Sequence, residues 1–186
     1  MILASQSPRR AEILSMLGFD FEIEVADCDE NVEGIPTEQI VAVLARRKAQ
    51  AVAERHPDEV VIGSDTLVTV DGSPIGKPKD AADAKRMLRL LSGRSHTVYT
   101  GVSIIKNGAD ETFVIGAEVE FYPLTDEQID RYVATGDPLD KAGAYGIQGR
   151  GAVLVRGIKG DFFTVMGLPA AEVARRLEKY EIYPQK

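Results

Sequence analysis

Residues 60–79 read VVIGSDTLVTVDGSPIGKPK. The opening, Val60-Val61-Ile62-Gly63, is a β-branched apolar run of the kind that fills a strand buried on both faces, and it gives way to Ser64-Asp65-Thr66. A carboxylate is therefore delivered at the carboxyl end of a central strand, where open α/β sheets bind their ligands, and Asp65 becomes the first candidate for a working group. Its competing use is as a turn residue. Leu67-Val68-Thr69-Val70, Asp71-Gly72 and Pro74-Ile75-Gly76 form the pattern of a hairpin with an Asp-Gly turn. The return arm is expected to carry Lys77 back toward Asp65.

Composition limits what such a site can serve. The 186 residues suit a single domain spanning 1–186, and the formal charge of −7 excludes the broad basic surface that nucleic-acid polymers require. One cysteine, Cys28, leaves no internal disulfide and no cysteine metal set, as expected in a reducing, cytoplasmic setting. No apolar run is long enough for a membrane span. Any anion must be met by a local cluster of cations.

Such a cluster is offered at the N-terminus. Ile2-Leu3-Ala4 reads as a short strand running into Ser5-Gln6-Ser7-Pro8-Arg9-Arg10, with Ser7 as N-cap, Pro8 as first helical residue and Gly18 as terminator. Arg9 and Arg10 then sit in a first turn that is already electropositive, a placement that an anion held by the arginine forks and free N–H groups would relieve. Phe21–Ala26 alternates as a second strand and ends at Asp27-Cys28-Asp29-Glu30. With Asp65 this acidic group could hold a hard divalent cation, although Asp27 and Asp29 taken singly read better as solvated loop acids. Thr37 is expected to cap a helix reaching about Arg55. Its apolar stripe, Ile40, Leu44 and Val52, is interrupted by Lys48, which either snorkels or reaches into a pocket.

Beyond the hairpin, Asp80 caps a helix with Ala84, Met87, Leu88 and Leu91 on its core face. Thr97–Ile105 and Glu111–Phe121 read as antiparallel strands, Thr125–Gln128 as a capping box, Ala152–Val155 as a last strand, and Pro169 to about Tyr180 as a closing helix. Residues 136–151, GDPLDKAGAYGIQGRG, are rich in glycine without matching a dinucleotide fingerprint. Gln148 stands out there because an amide can match the paired carbonyl and N–H of a pyrimidine edge; a plain structural glutamine is the competing account. The chain has no GxxxxGK[ST], HExxH or GxSxG, and His56 and His96 offer no nucleophile–histidine pair. What remains is a set of groups for gripping a polyphosphate and activating water beside a metal.

Ser5–Arg10, Gly63–Thr66, Gly76-Lys77-Pro78 and Asp140–Gly149 together resemble, in order and over nearly the whole chain, the signature segments of the Maf family of nucleoside triphosphate pyrophosphatases. The resemblance implies a mixed, twisted α/β sheet flanked by helices, in two lobes with a central cleft, similar to the inosine triphosphate pyrophosphatase fold and usually dimeric. It implies hydrolysis of a nucleoside triphosphate between the α and β phosphates with Mg²⁺ or Mn²⁺. Carried over residue by residue, Asp65 is the proton acceptor; Arg9, Thr66 and Gln148 set base preference, as in the branch acting on dTTP and UTP rather than on 7-methyl-GTP. Ser5, Arg10, Lys48 and Lys77 fall at phosphate-facing positions and Glu30 at a metal-facing one. Two rival readings are a nucleotide-binding regulator of septum formation without essential turnover, and the same chemistry directed at non-standard bases.

Overall fold

A computed structural model of the protein describes residues 1–185. Seven strands, β1 (Ile2–Ala4), β2 (Glu22–Ile23), β3 (Val61–Val70), β4 (Ser73–Ile75), β5 (Ser95–Lys106), β6 (Ala109–Phe121) and β7 (Val155–Lys159), form one mixed sheet in the order β2-β1-β3-β5-β6-β7, with β4 paired to β3. The helices are α1 (Pro8–Met16), α2 (Thr37–Ala53), α3 (Ala81–Leu91), α4 (Asp126–Val133), α5 (Phe162–Met166) and α6 (Ala170–Leu177). β1 is parallel to both β2 and β3, whereas β4 and β7 run antiparallel to their neighbours. The mixed α/β class expected from the sequence is present.

The chain divides into two compact units: residues 1–66, 100–115 and the chain from Gly167 onward make one, and residues 67–99 and 116–166 make the other. The core of the first includes Ile2, Ala4, Ala49, Val52, Val61 and Ile105. That of the second gathers Val68, Met87, Leu88, Phe121, Ile129 and Tyr145 among others.

Local rules account for most element boundaries. Asp80 caps α3 by accepting from the Asp83 N–H, and Thr125 and Gln128 close both halves of a capping box on α4. Asp71 and Gly72, at φ 50° and 74°, make the turn between β3 and β4 with Val70 opposite Ser73.

Several boundaries depart from the sequence reading. Strand β3 does not end at Ser64 but continues through Asp65 and Thr66 for ten residues, because polar side chains are tolerated mid-strand wherever each finds a partner. The alternating segment 21–26 yields only the two-residue β2, whose side chains are exposed, so no buried face prolongs it. Pro36, not Thr37, occupies the cap position of α2. The last strand begins at Val155 rather than Ala152, since residues 149–154 wind into a 3-10 turn.

Candidate active site

The first unit assembles most of the expected polar residues around β3. Successive side chains of a strand point to opposite faces, so Gly63 and Asp65 share one face while Ser64 and Thr66 share the other. Helix α2 lies against the Gly63 face. A Cβ at Gly63 would stand 2.2 Å from the Ala45 carbonyl oxygen, and one at Gly101 would stand 2.3 Å from that of Val41, so two glycines permit a helix backbone to press directly on the sheet. Ala45 and Ala49 complete the close seat, both fully buried. This contact positions Lys48, one turn along the same face, over the strand.

Lys48 Nζ donates to Asp65 Oδ1 at 2.7 Å and pairs with Glu30 Oε1 at 2.9 Å. The lysine that interrupts the apolar stripe of α2 therefore reaches into a polar site. Burial works against its charge, but the attraction and hydrogen bonds of Asp65 and Glu30 exceed that penalty and raise the ammonium pKa. Lys48 is a cation throughout the physiological range. Glu30 is held near it by its own loop, where Arg47 Nη1 donates to the carbonyls of Asp29 and Asn31 and Asp29 accepts from the Asn31 N–H.

The opposite face of β3 carries a second network. Arg10, projecting from the first turn of α1, donates through Nη1 to Ser5 Oγ at 2.8 Å, through Nη2 to Thr66 Oγ1 at 3.2 Å and through Nε to the Gly167 carbonyl at 2.9 Å. Ser64 Oγ donates to the same carbonyl at 3.0 Å, and Thr66 Oγ1 lies 2.9 Å from Thr100 Oγ1. Burial lowers the Arg10 pKa to about 10, with Asp65 opposing the shift and Arg9 adding to it. The guanidinium remains charged near neutrality. Three of its five N–H groups are committed to protein acceptors, which fixes its plane.

Gly167 was not foreseen from the sequence. Its φ of +116° and the 3.3 Å separation between a Cβ there and Thr66 Oγ1 both favour glycine, and its carbonyl joins Arg10 to Ser64. The available signal was a lone glycine preceding Leu168-Pro169 at the entry to the closing helix.

Seven of the nine expected site residues, Ser5, Arg9, Arg10, Glu30, Lys48, Asp65 and Thr66, belong to this first unit. Lys77 and Gln148 belong to the second. Within that unit Gln148 is half-buried and lies between Ile147, which is buried, and Gly149, whose φ is +64°. Tyr145, a neighbour in the same signature segment, is turned into the core, where its ring meets His96 and Phe121 edge-on at 5.3 and 4.8 Å. His96 Nε2 stands 2.8 Å from the Tyr145 hydroxyl, and burial depresses the imidazole pKa to about 4, so the ring is neutral. His56 pairs with Glu24 at 2.6 Å.

Glu30 and Asp65 are hard oxygen donors, and the ammonium bridging them demonstrates that the pair accommodates positive charge between its members. These residues fit a hard divalent cation that takes one or two protein carboxylates and completes its shell with phosphate and water. Among the described residues no group of three or more His, Cys, Asp and Glu side chains could hold a metal ion. A closed structural metal cage is therefore not built from them.

Known proteins place this chain. A Bacillus cytotoxicus protein named dTTP/UTP pyrophosphatase is 50% identical over 181 residues, covering 97% of this chain and 95% of the relative. A Bacillus mycoides protein of the same name is 50% identical over 182 residues, with 97% and 95% covered. Among solved structures, the Staphylococcus aureus Ham1 protein shares 17% identity and a TM-score of 0.50, covering 98% of this chain and 90% of that one, a likeness of fold alone. The family profile described as Maf-like protein matches residues 1–180, and the chain belongs to the Maf family.

Proposed function

We propose that this protein is a nucleoside triphosphate pyrophosphatase that hydrolyses dTTP and UTP, releasing the monophosphate and pyrophosphate. The observation that carries the reading is the Glu30–Lys48–Asp65 bridge on one side of β3 with the Arg10–Ser5–Thr66 cluster on the other, in a chain half identical to proteins named for that activity.

In this reading Asp65 is the general base. Its Oδ1 is engaged by Lys48, which orients the carboxylate and leaves Oδ2 to accept a proton from the water attacking the α phosphorus. Lys48 also supplies fixed positive charge where the phosphates lose their hydration. Arg10, immobilised through three hydrogen bonds, presents its two remaining N–H groups to phosphate oxygens, and Ser5 keeps its plane. Arg9, Thr66 and Gln148 set base preference, with the Gln148 amide pairing with the carbonyl and N–H of a pyrimidine. Lys77 adds a further cation for the triphosphate. Mg²⁺ or Mn²⁺ would be held by Glu30 together with the substrate phosphates, and would offset charge on the departing pyrophosphate.

The experiment is to incubate the protein and its Asp65→Asn variant with dTTP, UTP, 7-methyl-GTP and inosine triphosphate plus Mg²⁺, resolving monophosphate from diphosphate. Monophosphate and pyrophosphate from dTTP and UTP, falling by at least about 100-fold in the variant, are expected. Binding without turnover would replace this reading with that of a nucleotide-binding regulator. A cytoplasmic homodimer belongs to the same reading, and sedimentation is expected to give twice the 20.2 kDa chain mass.

A further inference from the structure

Gln148 sits on a loop whose two ends meet at one hydroxyl. The loop leaves at Gly146, whose N–H donates to Tyr132 Oη at 3.1 Å. It returns at Gly151, where a Cβ would stand 2.7 Å from Tyr132 Oη and 2.1 Å from the Gly146 carbonyl oxygen. The neck between residues 146 and 151 is thus closed around the Tyr132 hydroxyl, and Gly151 has no room for a side chain. Tyr132 itself is buried on α4.

The hydroxyl is in turn fixed in direction. It donates to Asp137 Oδ2 at 2.7 Å, so its lone pairs face the Gly146 N–H. Asp137 is held by Lys141, whose Nζ donates to its carbonyl at 2.5 Å and to Oδ1 at 3.1 Å, and which also reaches Asp140 Oδ1 at 2.7 Å. The Lys141 stem then packs over the neck: a Cβ at Gly146 would lie 2.9 Å from Lys141 Cε. Burial, followed by the bond to Asp137, pushes the Tyr132 phenol pKa upward, so the proton stays on the hydroxyl at any working pH. Lys141, Asp137 and Tyr132 form a relay of hydrogen bonds that ends on the backbone two residues before Gln148.

We propose that Tyr132 is a positioning residue for base selection: its hydroxyl, clamped by Asp137 and Lys141, sets the neck of the 146–151 loop and thereby the direction in which Gln148 presents its amide. This inference rests on the reading of Gln148 as the group that recognises pyrimidine. A hydrogen-bonded pair discriminates only when both of its angles are met, so a loosened neck lowers discrimination between bases. The scaffold contribution of the ring is separate, since the phenyl portion packs in the core whether or not the hydroxyl is present.

The test compares kcat/KM for dTTP and dATP in the native protein, Tyr132→Phe, Gln148→Ala and the double variant, with Asp137→Ala as a second way of releasing the hydroxyl should Tyr132→Phe fail to fold. The expected result is a loss of about tenfold in the dTTP-to-dATP ratio for Tyr132→Phe, carried mainly by KM, with no further loss when it is added to Gln148→Ala. An unchanged ratio in both Tyr132→Phe and Asp137→Ala, or losses that are equal for the two nucleotides, would overturn the positioning role. If Gln148→Ala alone leaves the ratio unchanged, base reading by Gln148 has failed, and the role of Tyr132 falls with it.

Discussion

Lys48 is the residue whose helical pattern left two placements open, and the structure takes the second. Its position on the apolar stripe of α2 suits a snorkelling side chain, yet its Nζ lies 2.7 Å from Asp65 and 2.9 Å from Glu30. In the proposed reaction, Lys48→Gln removes the charge that orients Asp65 and is expected to lower kcat by roughly 100-fold in a pyrophosphate-release assay, with a smaller change in KM. The raised pKa has a further consequence. The stability this pair contributes is complete below the unfolded lysine pKa and is lost as pH rises through the higher folded value, so native Lys48 steepens alkaline unfolding relative to Lys48→Gln. His96 acts at the other end of the scale. Its folded pKa is lowered from 6.5 to about 4, so the unfolded chain takes up the proton first and stability falls as pH drops between those values. The full difference corresponds to about 3 kcal/mol. A His96→Gln protein is expected to show a shallower fall across pH 6.5 to 4 in urea melts, because that step no longer contributes.

At the scale of elements, the site depends on α2 lying directly on β3. Gly63→Ala puts a methyl 2.2 Å from the Ala45 carbonyl, which neither backbone can absorb without moving. The expected cost is about 2–3 kcal/mol, or roughly 5–10 °C in a thermal melt, together with reduced activity as Lys48 is displaced from Asp65. A variant with unchanged melting temperature would show that α2 is not seated as described. Caps and turns were legible from local chemistry: Asp80, Thr125 with Gln128, and Asp71-Gly72 each act within four residues of themselves. The strand boundaries at Ser64 and Ala152 were not. Asp65 remains in strand because Lys48, 17 residues away in the chain, satisfies it, and no local rule registers a partner at that distance.

Over the whole molecule, the net charge of −7 contrasts with the grouping of Arg9, Arg10 and Lys48 in one unit, so the positive charge the proposed reaction needs is local rather than global. In the Asp65→Asn protein, dTTP with Mg²⁺ at 100 times its Kd is expected to add about 2.7 kcal/mol of stability, seen as a rise of roughly 5–10 °C in the melting temperature. An equal rise with inosine triphosphate at the same concentration would count against pyrimidine preference. No helix among the described residues is long and apolar enough to cross a membrane.

By itself the sequence determined which groups are available and which local shapes they take. The apolar run before Asp65, the Ser-Pro-Arg-Arg start of α1, the capping signals and the glycine-rich 136–151 segment follow from side-chain chemistry acting over a few residues. The tertiary structure alone decided which of those groups meet. Lys48 reaches Asp65 because Gly63 and Gly101 let a helix touch the sheet, Arg10 is locked by a carbonyl 157 residues away, and Tyr145 and Ile147 turn inward while Gln148 stays half-exposed. Each of these depends on close approach between segments distant in the chain, and such contacts are set by packing and by the need to pair every buried polar atom, not by periodicity.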